Sequence, residues 1–254
     1  MSAEIVVNDV KVHFGGVKAV DGVSFTVEPG SMVGIVGPNG SGKTTLINAL
    51  TGLVPLTGGS ITIDGVPHSG RAYKIARAGV RRTFQAVRLH ADADVAHNVM
   101  VGADAGQGLA DGLLRPWRVL PSERRAHGSA LAALERVGLA SAARDLPGNL
   151  SYGHQRMVEI ARALAGNPRI LLLDEPVAGM TGDERSQVGD LFLALRADGM
   201  TQLLVEHDLR LVSRVCDRVI VLDNGRLIAD GKPDDVINDP AVREAYLGTG
   251  RRTA

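Results

Sequence analysis

The chain has 254 residues, enough for one large domain or for a core that carries an inserted lobe. Its 28 basic and 28 acidic residues cancel, which argues against holding nucleic acid through bulk charge. Cys216 is the only cysteine, so no intrachain disulfide forms and a reducing compartment is expected.

Residues 5–14, 23–27 and 60–64 are β-rich and partly alternating, with turns at Gly15-Gly16, Pro29-Gly30 and Gly58-Gly59. They predict a small antiparallel sheet. Residues 32–36 form a short apolar run that reads as a buried strand. Gly37-Pro38-Asn39-Gly40-Ser41-Gly42-Lys43-Thr44 follows it and fits the phosphate-loop pattern G-x-x-x-x-G-K-[ST] at every fixed position. Leu46, Ile47 and Leu50 then space out as one helix face. A glycine turn between strand and helix aims backbone N–H groups at one point, and the helix N-terminus adds its own donors and partial charge. Lys43 would supply a full charge to the β- and γ-phosphates, and the Thr44 hydroxyl a magnesium ligand.

A mostly helical region runs from about residue 95 to 166. Within it, residues 102–121 are rich in Gly, Asp and Arg and show no period. Trp117 sits there between Arg115 and Arg118. It reads better as a ring packing a loop onto the body than as a nucleic-acid platform. Ser151 is a fitting N-cap for a helix whose Met157, Ile160, Ala161 and Leu164 make an i, i+3, i+4, i+7 stripe. Residues 170–173, 202–206 and 218–223 read as core strands alternating with helices, hence a parallel sheet. The first of these ends in Asp174-Glu175. Behind a phosphate loop, Asp174 fits the magnesium-holding carboxylate and Glu175 a base that polarises the attacking water. No secretion signal is expected behind Met1-Ser2-Ala3-Glu4, and no apolar run approaches the roughly 18 residues of a membrane span.

In this order, the motifs resemble those of the ATP-binding subunits of ABC transporters, over nearly the whole chain. Residues 37–44 and 171–175 resemble the two Walker motifs. Residues 150–154 resemble the Leu-Ser-Gly-Gly-Gln signature. Gln85, in Arg82-Thr83-Phe84-Gln85, matches the Q-loop, and His207, in Val205-Glu206-His207-Asp208, the switch histidine. Phe14 stands where the family places an aromatic under adenine. Taken singly, Gln85 would be a surface amide, His207 a structural histidine and Phe14 a core residue; zinc ligation by His207 lacks any Cys/His cluster.

The resemblance implies an α/β fold: a P-loop NTPase core with a small antiparallel β subdomain and an inserted helical subdomain. It implies a single ABC ATPase domain over 1–254, with core and β subdomain at about 1–90 and 167–254 and the helical subdomain at about 91–166. ATP would be held by Phe14, Gly37, Pro38, Asn39, Gly40, Ser41, Gly42, Lys43, Thr44 and Thr45, and by Ser151 and Gly153 acting on a partner subunit's nucleotide. Magnesium would be held by Thr44, Gln85 and Asp174. Glu175 and His207 would be catalytic. The partners implied are two integral membrane permease subunits, a second ATP-binding subunit and, indirectly, an extracytoplasmic binding protein, with no nucleic acid. The location implied is peripheral, on the cytoplasmic face of the inner membrane.

Some residues depart from the family pattern. Tyr152 replaces the first signature Gly, and His154 its Gln. Thr181 follows Val177-Ala178-Gly179-Met180 where an Asp is usual. These departures suggest a non-identical ATPase pair. The run 82–89, Tyr152, Ala178-Gly179-Met180 and Ala245-Tyr246-Leu247-Gly248 look most like the larger ATPase of branched-chain amino-acid uptake systems. Urea, amide and lipopolysaccharide transporters remain alternatives. So does a soluble ABC ATPase of DNA repair or translation, although the arms, zinc motifs or second ATPase domain typical of those are absent from this sequence.

Overall fold

The computed structural model describes residues 3–68, 70–103 and 119–248; Trp117 and most of the 102–121 stretch lie outside the described residues. The chain divides into two compact units. One comprises Met1–Val80, Arg169–Glu175 and Phe192–Ala254; the other comprises Arg81–Pro168 and Pro176–Leu191.

The first unit holds two sheets. β1 (Ile5–Phe14), β2 (Val17–Val27), β4 (Gly58–Ile63) and β5 (Val66–Pro67) form an antiparallel sheet in the order β2-β1-β4-β5. Ile5 pairs with both Val27 and Ile63, so apolar residues line up on one face. β2 starts six residues before the expected 23–27. Its early half contains Gly22 at φ 83, and β1 shows register shifts near Val10, so a bulge breaks the alternation that marks a strand.

The second sheet is built on β3 (Met32–Val36), which lies parallel to β8 (Thr201–Val205) and to β9 (Arg218–Asp223). β7 (Ile170–Asp174) is parallel to β8. β10 (Arg226–Gly231) runs antiparallel beside β9, and Val80 of β6 (Val80–Arg82) extends the sheet on the β7 side. β3, β7 and β8 are buried at every residue, as expected of parallel strands covered on both faces. Val7, Val12, Val20 and Ile61 of the antiparallel sheet share one core with Ile35, Leu172, Leu203 and Ile220 of the parallel one. Leu46, Ile47 and Leu50 of helix α1 (Lys43–Leu50) belong to the same core. The expected apolar helix face is therefore what ties α1 to the sheets. A short helix, α2 (Ala72–Arg77), precedes β6.

The second unit is helical. α3 (Val95–Ala103), α4 (Val119–Arg136) and α5 (Tyr152–Ala165) pack on one another. Asn98 is buried in α3, and its amide donates to the carbonyls of His90 (3.1 Å), Ala93 (3.0 Å) and Asp94 (3.0 Å). Its Oδ1 accepts from the His90 N–H (2.7 Å), so one side chain fixes the entry loop. Met157, Ile160, Ala161 and Leu164 are all buried, the stripe read from the sequence. α6 (Gly182–Ala197), α7 (Leu209–Val215), α8 (Pro233–Asn238) and α9 (Pro240–Gly248) complete the described helices. None of these helices is long and apolar enough to cross a membrane.

Candidate functional site

Parallel strands bring the first group of expected residues to one edge. Their C-terminal ends all lie on the same side of the sheet, where open α/β sheets bind ligands. Residues 37–42 leave β3, Glu175 follows Asp174 at the end of β7, and Glu206-His207 leave β8. β8 lies between β3 and β7. Two backbone bonds pin these ends: the Glu175 N–H donates to Val205 O (2.9 Å), and the Glu206 N–H to Ile35 O (3.4 Å).

Glycine is what allows the loop. Gly37 has φ 149, and a Cβ there would fall 2.1 Å from the Leu222 carbonyl oxygen. Gly42 has φ 103, and its Cβ would fall 2.3 Å from that of Ala19. Any side chain would push the loop off the sheet. Gly42 is also the N-cap of α1 and offers no side-chain bond, so the first-turn N–H groups are left for an anion.

Lys43 is buried, and its ammonium donates to Gly37 O (2.8 Å) and Pro38 O (2.9 Å), with Ser41 Oγ at 3.5 Å. Burial pushes its pKa down, while the Glu175 and Asp174 carboxylates favour the charged form. Thr44 is exposed in the first helical turn and Thr45 half-buried behind it; Asn39 and Gly40 are exposed at the loop tip. Asp174 is only 1% exposed. Glu175 is half-buried and has φ 46, a left-handed backbone uncommon outside glycine, which takes it off the strand's alternation. The His207 N–H donates to Glu206 Oε2 (3.1 Å), and its exposed ring has Nδ1 at 3.7 Å from that oxygen, with the Glu206 side chain fully buried. Phe14 is 52% exposed at the end of β1, so it is not a core residue and its ring is open to a flat ligand. A residue not picked out for the site adjoins it: Tyr246 of α9 brings a buried hydroxyl to the Gly37 N–H.

The second unit holds the other group. Ser151 caps α5, its Oγ accepting from the His154 N–H (3.1 Å). Gly153 is buried, whereas Ser151, Tyr152 and His154 are exposed. Tyr152 lies on Gly179, where a Cβ would come within 2.9 Å of its ring. The absence of a side chain at Gly179 therefore leaves room for the Tyr152 ring. Gln85 is exposed, and its backbone carbonyl is held by a buried arginine without any motif of its own. Arg156 is 2% exposed and donates to Phe84 O and Gln85 O (2.7 Å each) and to Pro176 O (3.4 Å). Its position on the buried face of α5 was the only available signal. Arg156→Ala would leave these carbonyls without their donor and should cost about 2–3 kcal/mol, or about 4–12 °C in Tm. Thermal unfolding of the purified chain checks this. Arg156→Lys should recover only part of the loss, since an ammonium lacks the guanidinium fork.

The family model of ABC transporters matches residues 20–178. The chain belongs to the ABC transporter ATP-binding family. A second model, for the branched-chain amino acid ATP-binding cassette transporter, matches residues 226–251. Similar proteins include the high-affinity branched-chain amino acid transport ATP-binding protein BraF of Pseudomonas aeruginosa. It is 42% identical over 246 residues, covering 95% of this chain and 96% of BraF. The corresponding protein LivG of Escherichia coli is 42% identical over 254 residues, covering 95% of this chain and 96% of LivG. Among solved structures, an ATP-binding cassette of an ABC transporter in its ADP conformation superposes with a TM-score of 0.86 at 32% identity. That match covers 98% of this chain and all of the other (100%). A nucleotide-free cassette gives a TM-score of 0.83, also at 32% identity, over 96% of this chain and 98% of the other.

As an ABC transporter ATPase, the chain binds and hydrolyses ATP to drive transport by membrane permease partners. The expected fold class, a P-loop NTPase core with antiparallel β and helical parts, is the one these structures share. Among the described residues, no group of three or more His, Cys, Asp or Glu could hold a metal ion.

Proposed function

We propose that this chain powers import of branched-chain amino acids from the cytoplasmic face of the membrane. It would be paired with a non-identical ATP-binding subunit, mounted on two permease subunits and fed by an extracytoplasmic binding protein. The observation that carries the cargo is the match of residues 226–251 to the branched-chain model, beside the full-length likeness to BraF and LivG. The unlike partner is suggested by Tyr152 and Thr181, which stand where the family pattern has Gly and Asp.

In this reading residues 37–45 cradle the phosphates, Phe14 stacks on adenine, and Ser151 and Gly153 meet the γ-phosphate held by the partner subunit. Residues 91–166 act as the helical subdomain, and Gln85 relays its motion to the permeases. The side-chain donors at this edge of the sheet suit magnesium: a buried Asp174 carboxylate within electrostatic reach of Lys43, and the Thr44 hydroxyl, both hard oxygen donors. The acidic cage of an all-protein site is missing among the described residues, which fits an ion shared with phosphate oxygens. Bound there with Gln85 as a further ligand, magnesium would neutralise charge on the β- and γ-phosphates. Glu175 then takes the proton of the attacking water, and His207 positions the γ-phosphate.

Deletion of the chain's gene should abolish uptake of labelled leucine, isoleucine and valine together. An apolar pocket separates side chains differing by one methylene by only about 1–3 kcal/mol. Affinity purification from membranes should bring down two integral subunits and a second ATPase of different mass. If all three uptakes persist while urea or amide uptake collapses, the cargo assignment fails. If no integral protein co-purifies, the transporter assembly fails with it.

A further inference from the structure

The carboxylate of Glu184 lies directly over Gly153. A Cβ at Gly153 would fall 2.1 Å from Glu184 Oε1 and 2.2 Å from its Cδ, so the missing side chain is the space the carboxylate fills. The Ser151 hydroxyl donates to the same Oε1 at 3.2 Å. The other oxygen, Oε2, accepts from the Thr181 N–H (2.9 Å) and the Thr181 hydroxyl (3.0 Å). The Glu184 N–H returns a bond to Thr181 Oγ1 at 3.4 Å, which closes a capping box across the first turn of α6. A capping box alone would need only Oε2. Here Oε1 reaches out of the box to the cap of a second helix, and one carboxylate joins two helix N-termini.

Three hydrogen bonds favour the ionised form. The Thr181 N–H is the largest influence holding its pKa below the usual carboxylate range, and the Ser151 hydroxyl contributes. A negative charge therefore sits at the N-terminus of α5, the polarity that a helix start attracts. Asp183, its neighbour in the same turn, is exposed and is not among the groups bonded to Ser151.

We propose that Glu184 is a positioning residue for Ser151: it holds the hydroxyl and the space over Gly153 in the lone subunit, and must yield both to the γ-phosphate of a partner's nucleotide. This rests on the reading that Ser151 and Gly153 act across the subunit interface. Two negative groups cannot share the place, so each closure of the pair displaces the carboxylate. The Ser151 hydroxyl then exchanges one anionic acceptor for another. Glu184 thereby sets how much ATP is needed to close the pair and leaves the chemistry at Glu175 untouched.

The test is the ATPase of the assembled membrane complex, with KM for ATP and kcat measured separately. Glu184→Gln keeps an acceptor for Thr181 but removes the charge. It should lower KM about fivefold, the scale of one exposed charge pair, and change kcat less than about twofold. Glu184→Met, equally long and uncharged, must shift KM the same way, and Asp183→Asn must not. A KM that is unchanged or raised in Glu184→Gln overturns the proposal. So does a fall confined to the amide, or one matched by Asp183→Asn. Ser151→Ala separates the two layers: if it leaves turnover of the complex intact, the interface reading fails. If it abolishes turnover while Glu184→Gln leaves KM alone, only the role of Glu184 fails.

Discussion

Glu175→Gln is expected to lower ATP turnover of the assembled complex by about 10²–10⁴, the usual contribution of a positioned general base. ATP binding should stay close to that of the unaltered chain. The argument is geometric. Glu175 leaves the end of β7 in a left-handed conformation, φ 46, with its N–H tied to Val205 O at 2.9 Å. That conformation separates it from Asp174, which is fully enclosed. Two adjacent carboxylates thus receive unlike surroundings, one suited to a cation and one with access to water. The amide of Gln preserves size and the strand end but takes no proton. Phosphate release measured beside equilibrium nucleotide binding checks both halves. Turnover within tenfold of the unaltered complex would move the base elsewhere, with His207, exposed beyond the end of β8 on the same edge of the sheet, the next candidate.

What could be read from the sequence was what depends on short-range pattern. Residues 37–44 needed fixed glycines for a turn that no other residue tolerates, and Gly37 and Gly42 meet carbonyl oxygens at those points. The buried strands β3 and β7 were unbroken apolar runs, and Ser151 was a cap followed by a helical stripe. The residues that were missed act over long chain separations. Arg156 bonds to Gln85, 71 positions away, and Tyr246 approaches Gly37 from the far end of the chain. Neither distance leaves a trace in local periodicity. Glu184 differs, because Thr181-x-x-Glu184 is a legible capping box. Thr181 stands where the family pattern has an Asp, and its bonds to Glu184 give it a role of its own. The start of β2 was not legible because Gly22 and the bulge beside it break the alternation of a strand, and β10 was not because its half-buried residues show no clean alternation.

Lys43→Ala should cost about 2–5 kcal/mol of ATP binding, or about 30- to several-thousand-fold in Kd. Before nucleotide arrives, the loop itself holds the ammonium, with Gly37 O at 2.8 Å and Pro38 O at 2.9 Å. Little further ordering is then needed when a phosphate arrives. Burial disfavours the charge, yet Glu175 and Asp174 oppose that, so the site keeps a cation poised for an anion. Removing it leaves those two carboxylates facing the incoming phosphates with their nearby positive group gone, which adds repulsion to the lost attraction. The backbone donors of the loop and of α1 remain and should retain weak binding. Titration calorimetry with ATP gives the affinity, and a Tm within a few degrees of the unaltered chain shows that the loop stands without its lysine. Equal ATP affinity in the two proteins would mean that the N–H groups alone carry the phosphates and that Lys43 serves only to brace Gly37 and Pro38.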